Sequence, residues 1–215
     1  MATLLHIDSS LNGDASVSRE VTRTFRESWQ AAHPGGAVIH RDLNAEPVPH
    51  LTAAGHVAPS VAPAERTEEQ RAAFALRDEL ASEFEAADAV VIGAPLYNYG
   101  VPSTLQAYLN QILIMGRTAG ERSTVAGKPV TVVTSRGGSY RPGTPRAGQD
   151  FNEPYLRHLL GTAMNLDLRF IVPELTLARL VPAMADLVEL ADASRAEAHQ
   201  EAREQAGALA ARLAA

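Results

Sequence analysis

Three stretches of this chain carry residue types and spacings suited to chemistry, and each follows directly on an apolar run. The first is Ser9-Ser10-Leu11-Asn12-Gly13-Asp14-Ala15-Ser16-Val17-Ser18. Hydroxyls at Ser10, Ser16 and Ser18 lead into a helix start, where unpaired N–H groups and the helix dipole favour an anion. The stretch lacks the Gly-Lys-Ser/Thr of a Walker A loop and the GxGxxG of a dinucleotide turn. A neutral, hydroxyl-rich cradle suits a singly esterified phosphate held without a metal. The plainer alternative is that Ser16 only caps the helix while Ser9 and Ser10 make turns.

The second stretch is Leu96-Tyr97-Asn98-Tyr99-Gly100, between the apolar run Ala89-Val90-Val91-Ile92 and a helix opening at Pro102. Backbone groups at Leu96, Tyr97, Asn98 and Tyr99 can run along the edge of a planar ring, with Tyr99 or Leu96 against its face. Taken singly, the two tyrosines read as core-edge residues. The third stretch is Thr134-Ser135-Arg136-Gly137-Gly138-Ser139-Tyr140. Its glycines admit close backbone approach, so N–H donors can meet a carbonyl or ring nitrogen; a tight turn at a strand end is the alternative.

The elements that must position these stretches alternate. Residues 3–7, 37–43, 89–92, 128–133 and 168–172 read as strands. The run at 89–92 has no polar alternation, as expected of a parallel strand covered on both faces. Val17, Val21, Phe25 and Trp29 recur every four residues on a helix ended by His33-Pro34-Gly35-Gly36. Further helices are expected over 65–86, from Pro102 to about Met115, over 151–164, and from Met184 or Asp186 to Ala215. Residues 44–64, with four prolines, read as a long irregular connection, and 141–149 as a surface loop. Strands alternating with helices imply an α/β three-layer sandwich with a five-stranded parallel sheet. The flavodoxin-like order 2-1-3-4-5 puts the switch point between the first and third strands, so the loops after them border the ligand crevice.

Composition narrows the chemistry. The 215 residues suit one domain with a substantial core, and a net charge of −6 without a long basic run argues against nucleic-acid binding. No apolar run approaches the roughly 20 residues of a membrane span, and no signal-peptide pattern opens the chain, so a cytoplasmic location is expected. The absence of cysteine removes disulfides, thiolate metal sites and thiol catalysis, so any redox chemistry must come from a bound cofactor. The seven histidines form no H-x-x-x-H pair and no cluster with acids in the sequence, and no metal site is expected.

SSLNGDASVS, APLYNYGVPSTLQAYLNQI and TSRGGSY resemble the three flavin-binding segments of the FMN-dependent NADH-azoreductases and related NAD(P)H:quinone oxidoreductases, in an order and spacing that match over most of the chain. The resemblance implies a flavodoxin-like homodimer with non-covalent FMN near the subunit interface. By position, Ser10, Ser16, Val17 and Ser18 would hold the phosphate, Leu96, Tyr97, Asn98 and Tyr99 would line the isoalloxazine, and Ser135, Arg136, Gly137 and Gly138 would meet the pyrimidine edge. It also implies two-electron ping-pong transfer from NADH through FMN to a quinone or azo compound, with no protein nucleophile. Arg136 either assists the reduced flavin or pairs with an acid; Tyr140 either donates a proton or sits at the rim. The chain departs from the family pattern in a shortened segment after Met115, in Tyr99 where Phe is common, and in Gly100 where a larger residue often stands. The competing classes are a flavin electron carrier without NADH activity and a signalling receiver. Gly93-Ala94-Pro95, where a receiver needs an aspartate, excludes the receiver.

Overall fold

In a computed structural model, which describes residues 2–214, five parallel strands lie in the order β2-β1-β3-β4-β5, with helices on both faces. The strands are β1 (Thr3–Asp8), β2 (Ala37–Asp42), β3 (Ala89–Gly93), β4 (Pro129–Val133) and β5 (Asp167–Ile171). The helices are α1 (Val17–Ala32), α2 (Ala53–Val57), α3 (Glu68–Ala86), α4 (Ser103–Ile112), α5 (Asn152–Leu156) and α6 (Val188–Ala214). The expected order of strands and the expected alternation are both present.

Strand alternation builds two cores. Leu4, Val91 and Val133 face α1 and α6, where Val21, Phe25 and Trp29 are fully buried. Leu5, Ile7, Ile92 and Val132 face α3 and α4, against Leu80, Phe84, Leu105 and Leu109. Each such aliphatic or aromatic side chain contributes about 1.5–3 kcal/mol on leaving water. On α6 the buried positions Ala198, Ala202, Ala206 and Ala210 repeat every fourth residue, so the long helix lies close over α1.

Five expectations about elements need correction. Residues 44–64 are not wholly irregular: α2 and short 3-10 turns at Ala58–Ser60 and Pro63–Glu65 break the connection. The helix expected from residue 65 begins at Glu68, because Thr67 and Gln70 form a reciprocal capping box. The helix expected to reach Met115 stops at Ile112. There the buried Arg77 guanidinium donates to the carbonyls of Gln111 (3.1 Å) and Leu113 (2.7 Å), and Thr118 Oγ1 donates to that of Ile112. The helix expected over 151–164 is α only to Leu156 and widens into π turns over Arg157–Ala163, which bring Leu160 and Met164 into the core beside Leu156. The C-terminal helix expected from Met184 or Asp186 begins at Val188, after a 3-10 turn over Pro182–Leu187, and its expected end at Ala215 lies outside the described residues. No helix among the described residues is long and apolar enough to cross a membrane.

Candidate active site

The strand order sets β1, β3 and β4 side by side, so the loops leaving their carboxyl ends meet. Ser9 donates through N–H (3.2 Å) and hydroxyl (2.6 Å) to the Gly93 carbonyl. Leu96 N–H donates to the Ser135 carbonyl at 2.9 Å. The Ser10 and Tyr97 hydroxyls lie 2.9 Å apart, and Tyr97 also accepts from Leu11 N–H at 3.2 Å. Buried Asn152 braces the same corner from α5, donating to the Ala94 carbonyl (2.8 Å) and to Thr134 Oγ1 (3.1 Å).

In the first loop, Ser16 caps α1 by accepting from Arg19 N–H at 3.3 Å, and its hydroxyl is 3.1 Å from that of Ser18. Capping and anion binding do not compete here. The N–H groups of Val17 and Ser18 are first-turn donors that no helical carbonyl can take. Arg19 braces the loop: its guanidinium holds Asp42 in a fork at 2.6 and 2.7 Å and donates to the Ser10 carbonyl at 2.8 Å. Asp42 raises the Arg19 pKa above its ordinary value. The cradle itself therefore presents hydroxyls and N–H groups, with its nearest cation committed to Asp42.

Tyr97 and Gly100 pair as an antiparallel bridge around Asn98 (φ +48°) and Tyr99 (φ +66°). Two successive left-handed residues are what a type I′ turn requires, so this hairpin turn carries side chains at strained positions and lifts Tyr99 to 46% exposure. The third loop is held from behind. Arg136, 6% exposed, turns away from the crevice into Asp150 and Glu153, both 2.5 Å from Nη2, with Glu174 3.5 Å from Nη1. Of the two roles open to Arg136, the acid-paired one is realised. Gly137 and Gly138 accept from Leu177 and Leu175 through their carbonyls, while their N–H groups have no partner among the described residues. A Cβ at Gly137 would stand 2.7 Å from Leu177 Cδ1, so a larger residue there would have to displace the exposed Leu177 side chain.

Leu96, Gly137 and Gly138 line one cavity of about 750 Å³, whose wall also includes Tyr140, Leu177 and Leu187. That volume suits a substantial small molecule. Ser10, Ser16 and Ser18 lie outside its lining, which leaves the serine cradle as a separate, adjoining end. Sequence reading missed Arg19, Asn152 and Glu174. Arg19, three residues past the capping Ser16, was findable; the other two come from distant segments.

A hydroxyl and N–H cradle, a left-handed turn and a glycine edge at the switch point of a 2-1-3-4-5 sheet define a flavodoxin-like protein. A family model described as a flavodoxin-like fold matches residues 2–209. The chain is 57% identical over 217 residues to an FMN-dependent NADH:quinone oxidoreductase of Streptomyces avermitilis, covering 100% of both. It is 54% identical to a protein of the same name from Streptomyces coelicolor, over 99% of this chain and 97% of that one. The crystal structure of an azoreductase from Bacillus anthracis superposes with a TM-score of 0.81 at 24% identity, over 96% of this chain and 99% of that chain, a likeness of fold. The chain belongs to the flavodoxin-like family, among the FMN-dependent NADH:quinone oxidoreductases.

Proposed function

We propose that this chain oxidises NAD(P)H and reduces quinones or aromatic azo compounds with FMN as its non-covalent cofactor. The observation that carries this reading is the meeting of the three loops at the sheet's switch point, on a chain 57% identical to an enzyme of that name. FMN, when bound, supplies the two-electron relay between nicotinamide and acceptor.

Every other contribution comes from the chain. Ser10, Ser16 and Ser18, with the N–H groups of Val17 and Ser18, take the phosphate. Leu96, Tyr97, Asn98 and Tyr99 form the wall beside the ring, and the left-handed turn fixes that wall before any ligand arrives. Ser135, Gly137 and Gly138 would hold the pyrimidine edge, where the two glycine N–H groups, without a partner among the described residues, would be available as donors to negative charge. Arg136 positions this loop from within the protein and stays clear of the ring. The cavity beside Leu96 and Gly138 admits nicotinamide and acceptor in turn.

Exposed Leu177, Leu180 and Leu190 near that cavity support a homodimer, and the lack of a membrane-crossing helix among the described residues is compatible with work in the cytoplasm as a single FMN-binding domain. The electron-carrier alternative is not favoured, since the relatives named above are oxidoreductases. Steady-state assays of FMN-loaded protein with NADH and NADPH, against a quinone and an azo dye, test the reading. It predicts FMN-dependent turnover. Purified protein that neither carries a yellow chromophore nor gains NADH oxidation from added FMN would sink it.

A further inference from the structure

His6, Asp8 and His40 form a cluster that the flavin site does not use. The parallel register sets His6 directly opposite His40, and Asp8 lies two residues on from His6, so all three side chains leave one face of the sheet. The imidazole rings are 4.5 Å apart between centroids. Asp8 Oδ2 stands 3.2 Å from His6 Nε2 and 3.1 Å from His40 Nε2, and the three potential donor atoms all lie within 4.8 Å of one another. This corrects the sequence expectation that no histidine gathers with an acid.

The surroundings hold the carboxylate in place. Thr22 donates to the other Asp8 oxygen at 2.9 Å, and Gly93 makes room for it, since a Cβ there would stand 2.8 Å from Oδ1. His6 is 1% exposed; its Nδ1 has no hydrogen-bond partner among the described residues, and its Nε2, although 3.2 Å from Asp8 Oδ2, is not aligned for a hydrogen bond to it. A buried polar atom without a partner calls for an explanation. His40, on the edge strand, keeps 42% of its side chain exposed and opens the cluster to solvent.

We propose that His6 Nε2, Asp8 Oδ2 and His40 Nε2 bind a divalent ion of the zinc class, with water entering past His40 to complete the coordination. Two imidazoles and a carboxylate are a zinc donor set, and bonds of about 2.0–2.1 Å in a tetrahedral arrangement set ligand atoms about 3.3 Å apart. Two of the three spacings already approach that value. The nitrogen donors disfavour magnesium and calcium. Arg19 is the nearest cation, 3.9 Å from Asp8 Oδ2, but Asp42 neutralises it. Because Ser9 and Ser10 follow Asp8 directly, the ion would clamp the root of the serine loop between β1 and the edge strand.

The test is equilibrium dialysis of chelator-treated, FMN-loaded protein against micromolar zinc, read by elemental analysis. The proposal expects about one zinc per chain in the wild type and at least about tenfold weaker retention in His40→Ala and His6→Asn. His158→Ala, remote in sequence from the cluster, should retain zinc as the wild type does. X-ray absorption of the loaded protein should show two imidazoles in a nitrogen and oxygen shell. Wild-type protein that retains far less than one zinc per chain, or His40→Ala protein that binds as well as wild type, overturns the proposal. So does equal loss in His158→Ala, which would mark adventitious surface binding only. Far-ultraviolet circular dichroism of His40→Ala, at a half-exposed edge position, guards against reading misfolding as lost affinity.

Discussion

Replacing Arg136 by methionine removes the one cation that Asp150, Glu153 and Glu174 share inside the protein. The Arg136 side chain is 8% exposed, and its Nη2 sits 2.5 Å from two of those carboxylates. Breaking a buried ion pair from one side costs about 3–5 kcal/mol, because the partner charges stay behind without compensation. Two arginines reduce the loss: Arg141 reaches Glu174 at 2.6 Å and Arg157 reaches Glu153 at 2.7 Å. Both are mostly exposed, so each offsets only about 0–1 kcal/mol. Among the described residues Asp150 has no second arginine and keeps only the N–H groups of Asn152 (2.8 Å) and Glu153 (3.3 Å). The net loss should therefore be about 3 kcal/mol, at the low end of the range for a buried pair. For a chain of this size that corresponds to a fall in melting temperature of about 6–12 °C. Denaturant unfolding of flavin-free protein is the assay, since bound cofactor would add stability by mass action and mask the difference. Arg136→Lys, which keeps the charge without the planar fork, should fall between wild type and Arg136→Met. A loss below about 1 kcal/mol in Arg136→Met would refute the view that the cluster anchors the Gly137-Gly138 edge, because that is the scale of a surface pair.

Arg77→Met should cost about 2–4 kcal/mol by denaturant unfolding, since the buried guanidinium donates to the carbonyls of Gly55, Gln111 and Leu113; a loss confined to a few tenths would mean water replaces it freely. Tyr97→Phe removes the hydroxyl between Ser10 and Leu11 N–H and should weaken FMN binding about 2- to 10-fold, measured by fluorescence titration, with the fold intact. At the substrate rim, Tyr99→Phe and Gly100→Asn should change the ratio of quinone to azo turnover more than FMN retention, because nothing lies within 4 Å of a Cβ placed at Gly100; lost flavin with an unchanged ratio would contradict this. Acid should destabilise the protein in two stages. Burial raises the Asp8 carboxyl, but hydrogen bonding from His40 and Thr22 and the nearby His6 outweigh it and hold the group well below the usual carboxylate range. Burial lowers His6. Both folded values are depressed, so both contributions are intact above the unfolded values of about 6.5 and 3.9 and are lost as pH falls through the folded ones. Thermal melts of wild type and His6→Asn between about pH 7.5 and 5.5 should show a shallower fall in the variant; parallel curves would remove His6 from this account.

The pattern of residues alone marked the alternation of strands and helices, the two-sided sheet and the three loop stretches, while the order 2-1-3-4-5, adopted as the flavodoxin-like choice, is the one the folded sheet shows. Apolar runs at 89–92 and 128–133 have no polar alternation, and the Val21-Phe25-Trp29 stripe is a local, periodic signal. Turn chemistry was equally local, since Thr67 and Gln70 announce a helix start within four residues, although the reading placed it at residue 65. What stayed hidden depends on residues far apart in the chain. Arg77 ends α4 from a different helix, and no pattern near Ile112 marks that stop. Arg136 could be seen in its glycine turn, but the acids that draw it inward come from residues 150, 153 and 174.

The same division holds for the histidines. His6 and Asp8 are two residues apart and thus on one face of a strand, which the sequence records; His40 is 32 residues from Asp8 and joins them only through the parallel register of β1 and β2. Local periodicity and turn chemistry are written in neighbouring residues because they follow from backbone geometry over a few bonds. Register, ion-pair partners and the meeting of loops depend on which distant segments pack together, so only the folded chain decided where Arg136 points and that His6, Asp8 and His40 meet.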